Sequence, residues 1–267
     1  MKFTVVTLFP KVIEAFLSEG LVAQANKKGL FTCETLNPRK FTTDVHQTVD
    51  DRTFGGSDGM VLKYEPLAAS IESLKSSAVA PTQVVVLTPQ GKPWTQSQAK
   101  KWSESAGHVV LVCGRYAGID QRFIHKYCDE EVSVGDYVLN GGELAACVVM
   151  ESVARLLPGV LGNQVSAIKD SFTDGTLECP AFTRPREVDG MAVPAPLLTG
   201  NHAEMAKFER AVSLARTRKI RPDLWRAEWN HDWQQAVKIL SECSPADLEI
   251  LGLEPVDLNL KDFKNGI

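Results

Sequence analysis

Three glycine-bearing turns offer this chain its clearest route to chemistry: TPQG at Thr88–Gly91, CGRYAG at Cys113–Gly118 and VGDYVLNGGE at Val134–Glu143. Glycine lets main-chain N–H and C=O groups approach a ligand with no Cβ in the way. None of the three is GxGxxG or GxxxxGK[ST], so the usual pyrophosphate and triphosphate cradles are missing. Together they suit a nucleoside-like ligand without a phosphate chain, held largely by main-chain groups, better than NAD or ATP. Any one of them alone reads rather as a tight turn.

A second pattern matches by letter. Gly55, Ser57 and Gly59 satisfy GxSxG, and Asp170 and His202 follow in the chain order of an α/β-hydrolase triad. That chemistry needs a buried strand immediately before the serine, whereas Asp50, Asp51 and Arg52 stand charged in a row there. A glycine loop over a ligand is the better reading. Arg155 follows Glu151 by one helical turn, the spacing of a simple ion pair. Asp170, in KDSF, has the setting of a turn or capping aspartate, and His46 that of a polar loop histidine.

Between Met205 and Arg226 seven basic residues face two acidic ones, a net of +5 in a chain whose formal charge is −4. The cluster reads as a phosphate-tracking face or as a solvated helix face. Trp225, Trp229 and Trp233 recur every four residues, the spacing of a packed stripe.

These residues need elements to hold them. The 267 residues exceed the single-domain expectation, with 44% hydrophobic and 23% charged content typical of a soluble globular protein. The six scattered cysteines contain no CxxC pair, which fits a reducing cytosol and shows no structural zinc site. No signal peptide and no membrane-length apolar run is read, so the expected setting is the cytoplasm.

Phe3 to Phe9 reads as a strand, with Pro10 opening a helix. Thr82 to Thr88 and His108 to Cys113 read as strands buried on both faces, and Glu131 to Val134 as a shorter one. Thr95 and Gln98 form a capping box, Ile119 to Tyr127 is helical, and Glu143 to Leu157 is a buried helix ended by Pro158. This alternation predicts an α/β, mainly parallel sheet with its ligand crevice beyond the carboxyl ends of the strands. From Pro158 to about Gly200 five prolines predict irregular chain. Helices are predicted from Asn201, capped by that residue, and over Leu224 to Leu240, with an indistinct tail after Gly252.

The ordered motifs FTVVTLFP, NPRKF, TVDDRTFGGSDGM, LTPQG, CGRYAGID, SVGDYVLNGGELAA, RLLPGVLGN, DSFTDGTLECPAFTRP and VPAPLLTGNHAEM resemble, over about residues 1 to 225, the bacterial tRNA (guanine-N1)-methyltransferases of the SPOUT superfamily. The resemblance implies methyl transfer from S-adenosylmethionine to N1 of the guanosine 3′ of the tRNA anticodon, position 37, in support of reading-frame maintenance. It also implies a trefoil-knotted fold, a homodimer with shared active sites, and magnesium dependence, with no metal ligands identified. Topology rules alone reject a knot; only the resemblance supplies it. The domains implied are a cofactor-binding SPOUT domain over 1–160, a flexible linker over 161–172 and a small, mainly helical tRNA-binding domain over 173–267.

By the same resemblance, S-adenosylmethionine is surrounded by Thr88, Pro89 and Gln90; by Gly114, Arg115 and Tyr116; by Val134, Gly135, Asp136, Tyr137, Val138 and Leu139; and by Gly141 and Gly142. Guanine N1 carries a proton at neutral pH, so a general base has to remove it. Asp170 matches the family's aspartate for that role, and Arg155 its arginine for charge developing on O6. His46, Asp51 and Gly59 match the segment around the target guanosine. Lys207, Arg210, Arg216, Arg218, Lys219 and Arg221 would hold RNA backbone.

Two departures stand out. Ala117 occupies a position where the family usually has glutamate, and GGSDGM replaces the usual GGGPGM. A catalytically impaired RNA-binding homologue of the same fold is the alternative these departures open; a serine hydrolase using Ser57 is the other.

Overall fold

The computed structural model describes residues 1–55, 58–76, 81–105, 107–161 and 170–258. The chain divides into two compact units, Met1–Ala167 and Ile168–Ile267.

The first unit is built on a sheet of five parallel strands: β1 (Lys2–Val6), β2 (Thr32–Leu36), β5 (Gln83–Pro93), β6 (His108–Cys113) and β7 (Glu130–Ser133), in the order β2-β1-β6-β5-β7. Alternation along each strand sends side chains to opposite faces. Phe3, Val5, Val85, Val109 and Leu111 face one core, and Val6, Val84, Val86, Val110 and Val112 the other. Helices α1 (Pro10–Phe16), α2 (Gly20–Lys27), α4 (Gln96–Glu104) and α6 (Glu143–Ala154) carry residues of the first core, among them Ile13, Val22, Ala99 and Val149. α3 (Tyr64–Lys75) and α5 (Gln121–Tyr127) complete the second with Leu67, Ile71 and Phe123. A strand clothed on both faces is built almost wholly from apolar residues, and HVVLVC is buried at all six positions, its one polar side chain, His108, hydrogen-bonded to Thr4 Oγ1 at 2.8 Å.

The Thr95–Gln98 capping box is present in both directions at the start of α4. Strand β5 runs further than the sequence suggests. Its pairing with β7 breaks after Leu87 and resumes at Lys92, both opposite Val132, so Thr88–Gly91 form an excursion within one strand rather than a terminal turn. Proline at 89 is tolerated because the excursion leaves the ladder. A separate antiparallel pair joins β3 (Asp50–Arg52) to β4 (Met60–Leu62). The charged run before Ser57 is therefore part of a two-stranded hairpin, not the sheet strand a hydrolase elbow requires; Ser57 itself lies outside the described residues.

In the second unit, chain from 170 to 201 is mostly irregular, interrupted by a short hairpin of β8 (Glu187–Val188) and β9 (Met191–Ala192). Its turn, Asp189-Gly190, has φ of 53° and 77°, the left-handed pair such hairpins use. Helix α7 (His202–Ile220) is capped by the Asn201 side chain, which accepts from the N–H groups of Ala203 and Glu204. It packs on α8 (Asn230–Ser241) through Phe208, Val212, Ala215, Trp229, Trp233 and Leu240. The tryptophans do form a packed stripe, with Trp225 edge-on to Trp229 at 5.7 Å and to Trp233 at 5.8 Å. The helix predicted from Leu224 begins only at Asn230; after Pro222 the chain makes two 3-10 turns instead. Beyond it, α9 (Pro245–Ile250) and a 3-10 turn at Pro255–Leu258 bury Leu248, Leu251, Leu253 and Leu258. Leu253 and Leu258, in the stretch whose sequence reads as indistinct, are thus buried, and residues 259–267 lie outside the described residues.

Candidate active site

At the carboxyl ends of β5, β6 and β7 the first unit holds a cleft of about 430 Å³. Every residue singled out for the cofactor lines it except Asp136. Val86, Leu87, Ile119, Gln121, Ile124, Val132, Ser133 and Ala145 also line it and were missed by sequence reasoning, whereas Ala117, Gly118 and Asn140 lie within the turns already named. Ser133 ends β7 and Leu87 precedes the Thr88–Gly91 excursion of β5, and those positions are the signal that could have found them.

The turns are tied to one another. Gly142 N donates to the Gly114 carbonyl at 3.1 Å, and Arg115 pairs with Gly141 across an antiparallel bridge. A Cβ at Gly142 would lie 2.8 Å from Cys113 Cα, so that position demands glycine for space, and one at Gly141 would run into the Arg115 side chain as it is now placed. Ser133 Oγ and the Gly135 main chain exchange hydrogen bonds of 3.1 and 3.2 Å, and Tyr137 Oη donates to the Val134 carbonyl.

The β3–β4 hairpin abuts this cleft. Ala117 N donates to the Met60 carbonyl at 2.8 Å, Leu62 N to the Gly118 carbonyl, and Asp120 N to the Leu62 carbonyl. Gly59, with φ of 107°, has its α-carbon so placed that a Cβ would lie 3.4 Å from Ala117 Cβ. Gly59 is therefore brought to the cleft wall. Asp51 is exposed on β3, and His46 is exposed in the loop before it. Arg155 is exposed at the C-terminal end of α6.

Asp170 belongs to the second unit, where it lines a separate cavity of about 770 Å³ with Asp174, Arg184, Arg186, His202 and Arg210. The DSFTDGT stretch folds on itself: Phe172 N donates to the Thr176 carbonyl at 2.7 Å, and Thr173 N to the Asp170 carbonyl at 3.2 Å. Burial alone would raise the Asp174 carboxyl. Donation from the Thr176 hydroxyl and N–H, with Arg210 2.6 Å away, instead holds it below its ordinary value. Arg184 and Arg186 were missed by sequence reasoning; TRPR in the irregular stretch was the available signal.

Five of the six cations assigned to RNA already have partners within this unit. Arg210 pairs with Asp174, Arg216 donates to the Leu251 carbonyl at 2.6 Å, and Arg218 lies over the Trp225 and Trp233 rings. Lys219 reaches Asp257 at 2.8 Å and Arg221 reaches Asp223 at 2.7 Å. Lys207 is exposed. Among the described residues no helix is long and apolar enough to cross a membrane, and no group of three or more His, Cys, Asp or Glu could hold a metal ion.

A parallel α/β sheet whose glycine turns line a cleft at the strand ends defines an α/β protein with a ligand crevice in that position. Comparison with known proteins specifies it further. The family described as tRNA (Guanine-1)-methyltransferase TrmD matches residues 1–227, and the chain belongs to that family. It is 49% identical over 228 residues to a protein of Burkholderia cenocepacia (strain HI2424) named tRNA (guanine-N(1)-)-methyltransferase, covering 84% of this chain and 86% of that one. A protein of the same name from Burkholderia vietnamiensis (strain G4 / LMG 22486) is 48% identical over the same shares.

Proposed function

We propose that this chain methylates N1 of the guanosine 3′ of the anticodon in tRNA, using S-adenosylmethionine. Family membership over residues 1–227 carries the reading. The cleft fits the cofactor chemically. Its lining combines apolar side chains such as Leu87, Ile119 and Leu139 with the main-chain groups of glycine turns. When bound, the cofactor supplies an electrophilic methyl group.

The rest of the reaction falls to the chain's own residues. Asp170 takes the proton from guanine N1, and Arg155 faces the negative charge that then develops on O6. The active species is a homodimer in which Asp170 of one subunit serves the cleft of the other; the link assigned to residues 161–172, between a SPOUT domain and a tRNA-binding domain, lies outside the described residues over 162–169. The trefoil-knotted path of SPOUT proteins belongs to the same reading and rests on family membership alone. Magnesium finds no carboxylate in the cleft lining, so no step is assigned to it. The hydrolase reading is set aside, since the segment before Ser57 belongs to the β3–β4 hairpin.

Incubation with tRNA and methyl-labelled S-adenosylmethionine, followed by nucleoside analysis, tests this: label is expected in N1-methylguanosine. Asp170→Asn is expected to lower kcat by about 10²- to 10⁴-fold while cofactor affinity stays as it is. Label elsewhere, or a near-normal Asp170→Asn rate, overturns the assignment.

A further inference from the structure

The cleft takes its walls from segments far apart in the chain, and one buried carboxylate ties them together. Glu143, the first residue of α6, is 2% exposed. Its Oε1 accepts from the Thr7 hydroxyl at 2.6 Å and from Arg115 Nε at 3.3 Å, while its Oε2 lies 2.7 Å from Arg115 Nη2. Thr7 is fixed in turn, its Oγ1 accepting from Phe9 N at 2.9 Å. The Arg115 guanidinium lies 4.2 Å over the Phe9 ring and donates through Nη1 to the Asn140 carbonyl at 3.3 Å. On its other side it runs so close to Gly141 that no Cβ fits there.

Burying a carboxylate this deeply is costly unless it is paired and hydrogen-bonded. As a source of stability alone the pair is a poor device, since apolar residues of similar volume often do as well or better. What the hydrogen bond from Arg115 Nε to Oε1, with the Nη2–Oε2 ion pair beside it, does provide is direction: it orients the guanidinium between the two turns. Arg115 and Asn140 line the cleft, whereas Glu143 does not.

We propose that Glu143 is a positioning residue for methyl transfer. Through Arg115 it holds the Gly114–Gly118 turn and the Asn140–Gly142 turn in the spacing that accepts S-adenosylmethionine, with Thr7 anchoring it to the end of β1. The inference rests on the cofactor reading above.

Calorimetric titration of the full-length protein with S-adenosylmethionine tests it, on the wild type, Glu143→Gln and Thr7→Val. Glu143→Gln keeps the shape and removes the charge. Its Kd is expected to rise by about 10- to 100-fold with unchanged stoichiometry, and its KM for the cofactor to move far more than kcat. A role confined to fold stability would do the reverse, giving fewer competent sites at an unchanged Kd. Thr7→Val removes one hydrogen bond and keeps the ion pair, so a smaller rise in Kd is expected; it decides the matter should Glu143→Gln fail to fold. A wild type that takes up no cofactor overturns the cofactor reading and this inference with it. A wild type that binds, beside folded variants of equal Kd, overturns this inference alone.

Discussion

Gly142→Ala isolates the packing between the cleft's turns from every other effect. Gly142 sits at φ −78° and ψ −5°, which alanine adopts freely, so backbone strain does not enter. The added Cβ would lie 2.8 Å from Cys113 Cα, 3.1 Å from Cys113 Cβ and 3.2 Å from Gly114 N. Carbon atoms prefer roughly 3.5–4.0 Å, so the closest overlap is about 1 Å. The obstacle is strand backbone, which cannot rotate aside. Relief requires the Gly142 N–H to Gly114 C=O bond, now 3.1 Å, to lengthen and the Gly114–Gly118 turn to shift. Overpacking of this kind costs about 1–3 kcal/mol. Retained in the free protein, that cost lowers Tm by roughly 2–4 °C per kcal/mol in a unit of this size. Relieved by moving the turn, it weakens cofactor binding by about 5- to 150-fold. Thermal melts with and without S-adenosylmethionine, together with calorimetric Kd values, separate the two routes. Gly114→Ala is the control on the same turn: its Cβ would meet nothing nearer than 3.7 Å, and Tm is expected to hold. Wild-type Tm and wild-type affinity in Gly142→Ala would refute the reasoning.

Three further outcomes are expected. Mixing inactive Arg155→Ala with inactive Asp170→Ala should restore part of the activity if one site draws on two subunits; a mixture as dead as its components speaks against sharing. Asp257→Asn combined with Glu254→Gln takes both carboxylates, at 2.8 and 3.7 Å, from Lys219, so tRNA binding should tighten and its log–log salt dependence steepen by about one; an unchanged slope removes Lys219 from the RNA contacts. Glu34 is held below its ordinary 4.5 chiefly by the Lys2 ammonium, with burial opposing and the Thr4 hydroxyl assisting. A carboxyl whose folded pKa is lowered contributes stability above its unfolded pKa and loses it as pH falls through the folded one. Melting of Glu34→Gln should therefore run below wild type near neutral pH and converge with it in acid; curves that stay parallel below pH 4.5 exclude the linkage.

Where one physical demand governed a segment, the sequence was readable. Burial on both faces demands an unbroken apolar run, and His108–Cys113 emerged with the ends expected of it. Local capping chemistry was equally plain at Thr95 and Asn201. The polar edge strand Thr32–Leu36 was not legible, because an edge exposes side chains that no apolar pattern marks. Pro245 opening a helix behind the Ser244–Asp247 capping box was legible in principle, since both signals are local, but the polar surroundings hid it. In the cleft, glycines at strand ends were visible as ligand-approaching turns. The buried pairing of Glu143 with Thr7 joins residues 136 apart in the chain, and with Arg115 residues 28 apart, and no periodicity reports such contacts. The basic cluster was read correctly as composition. Its counter-charges at Asp174, Asp223 and Asp257 could be assigned only once the chain was folded.

The β5 excursion bears on how tightly a ligand can be held. Leu87 and Lys92 are both registered opposite Val132, so Thr88–Gly91 bow outward from two fixed feet. A Cβ at Gly91 would run into the Glu131 carbonyl carbon and the Val132 nitrogen, so the bow's last residue, next to the second foot, lies directly against its neighbour's backbone. The entropy of shaping that bow is lost once, when the sheet forms, and not again at each encounter. A guest arriving there meets a rim already set, and its affinity is spared the cost of stiffening a slack one.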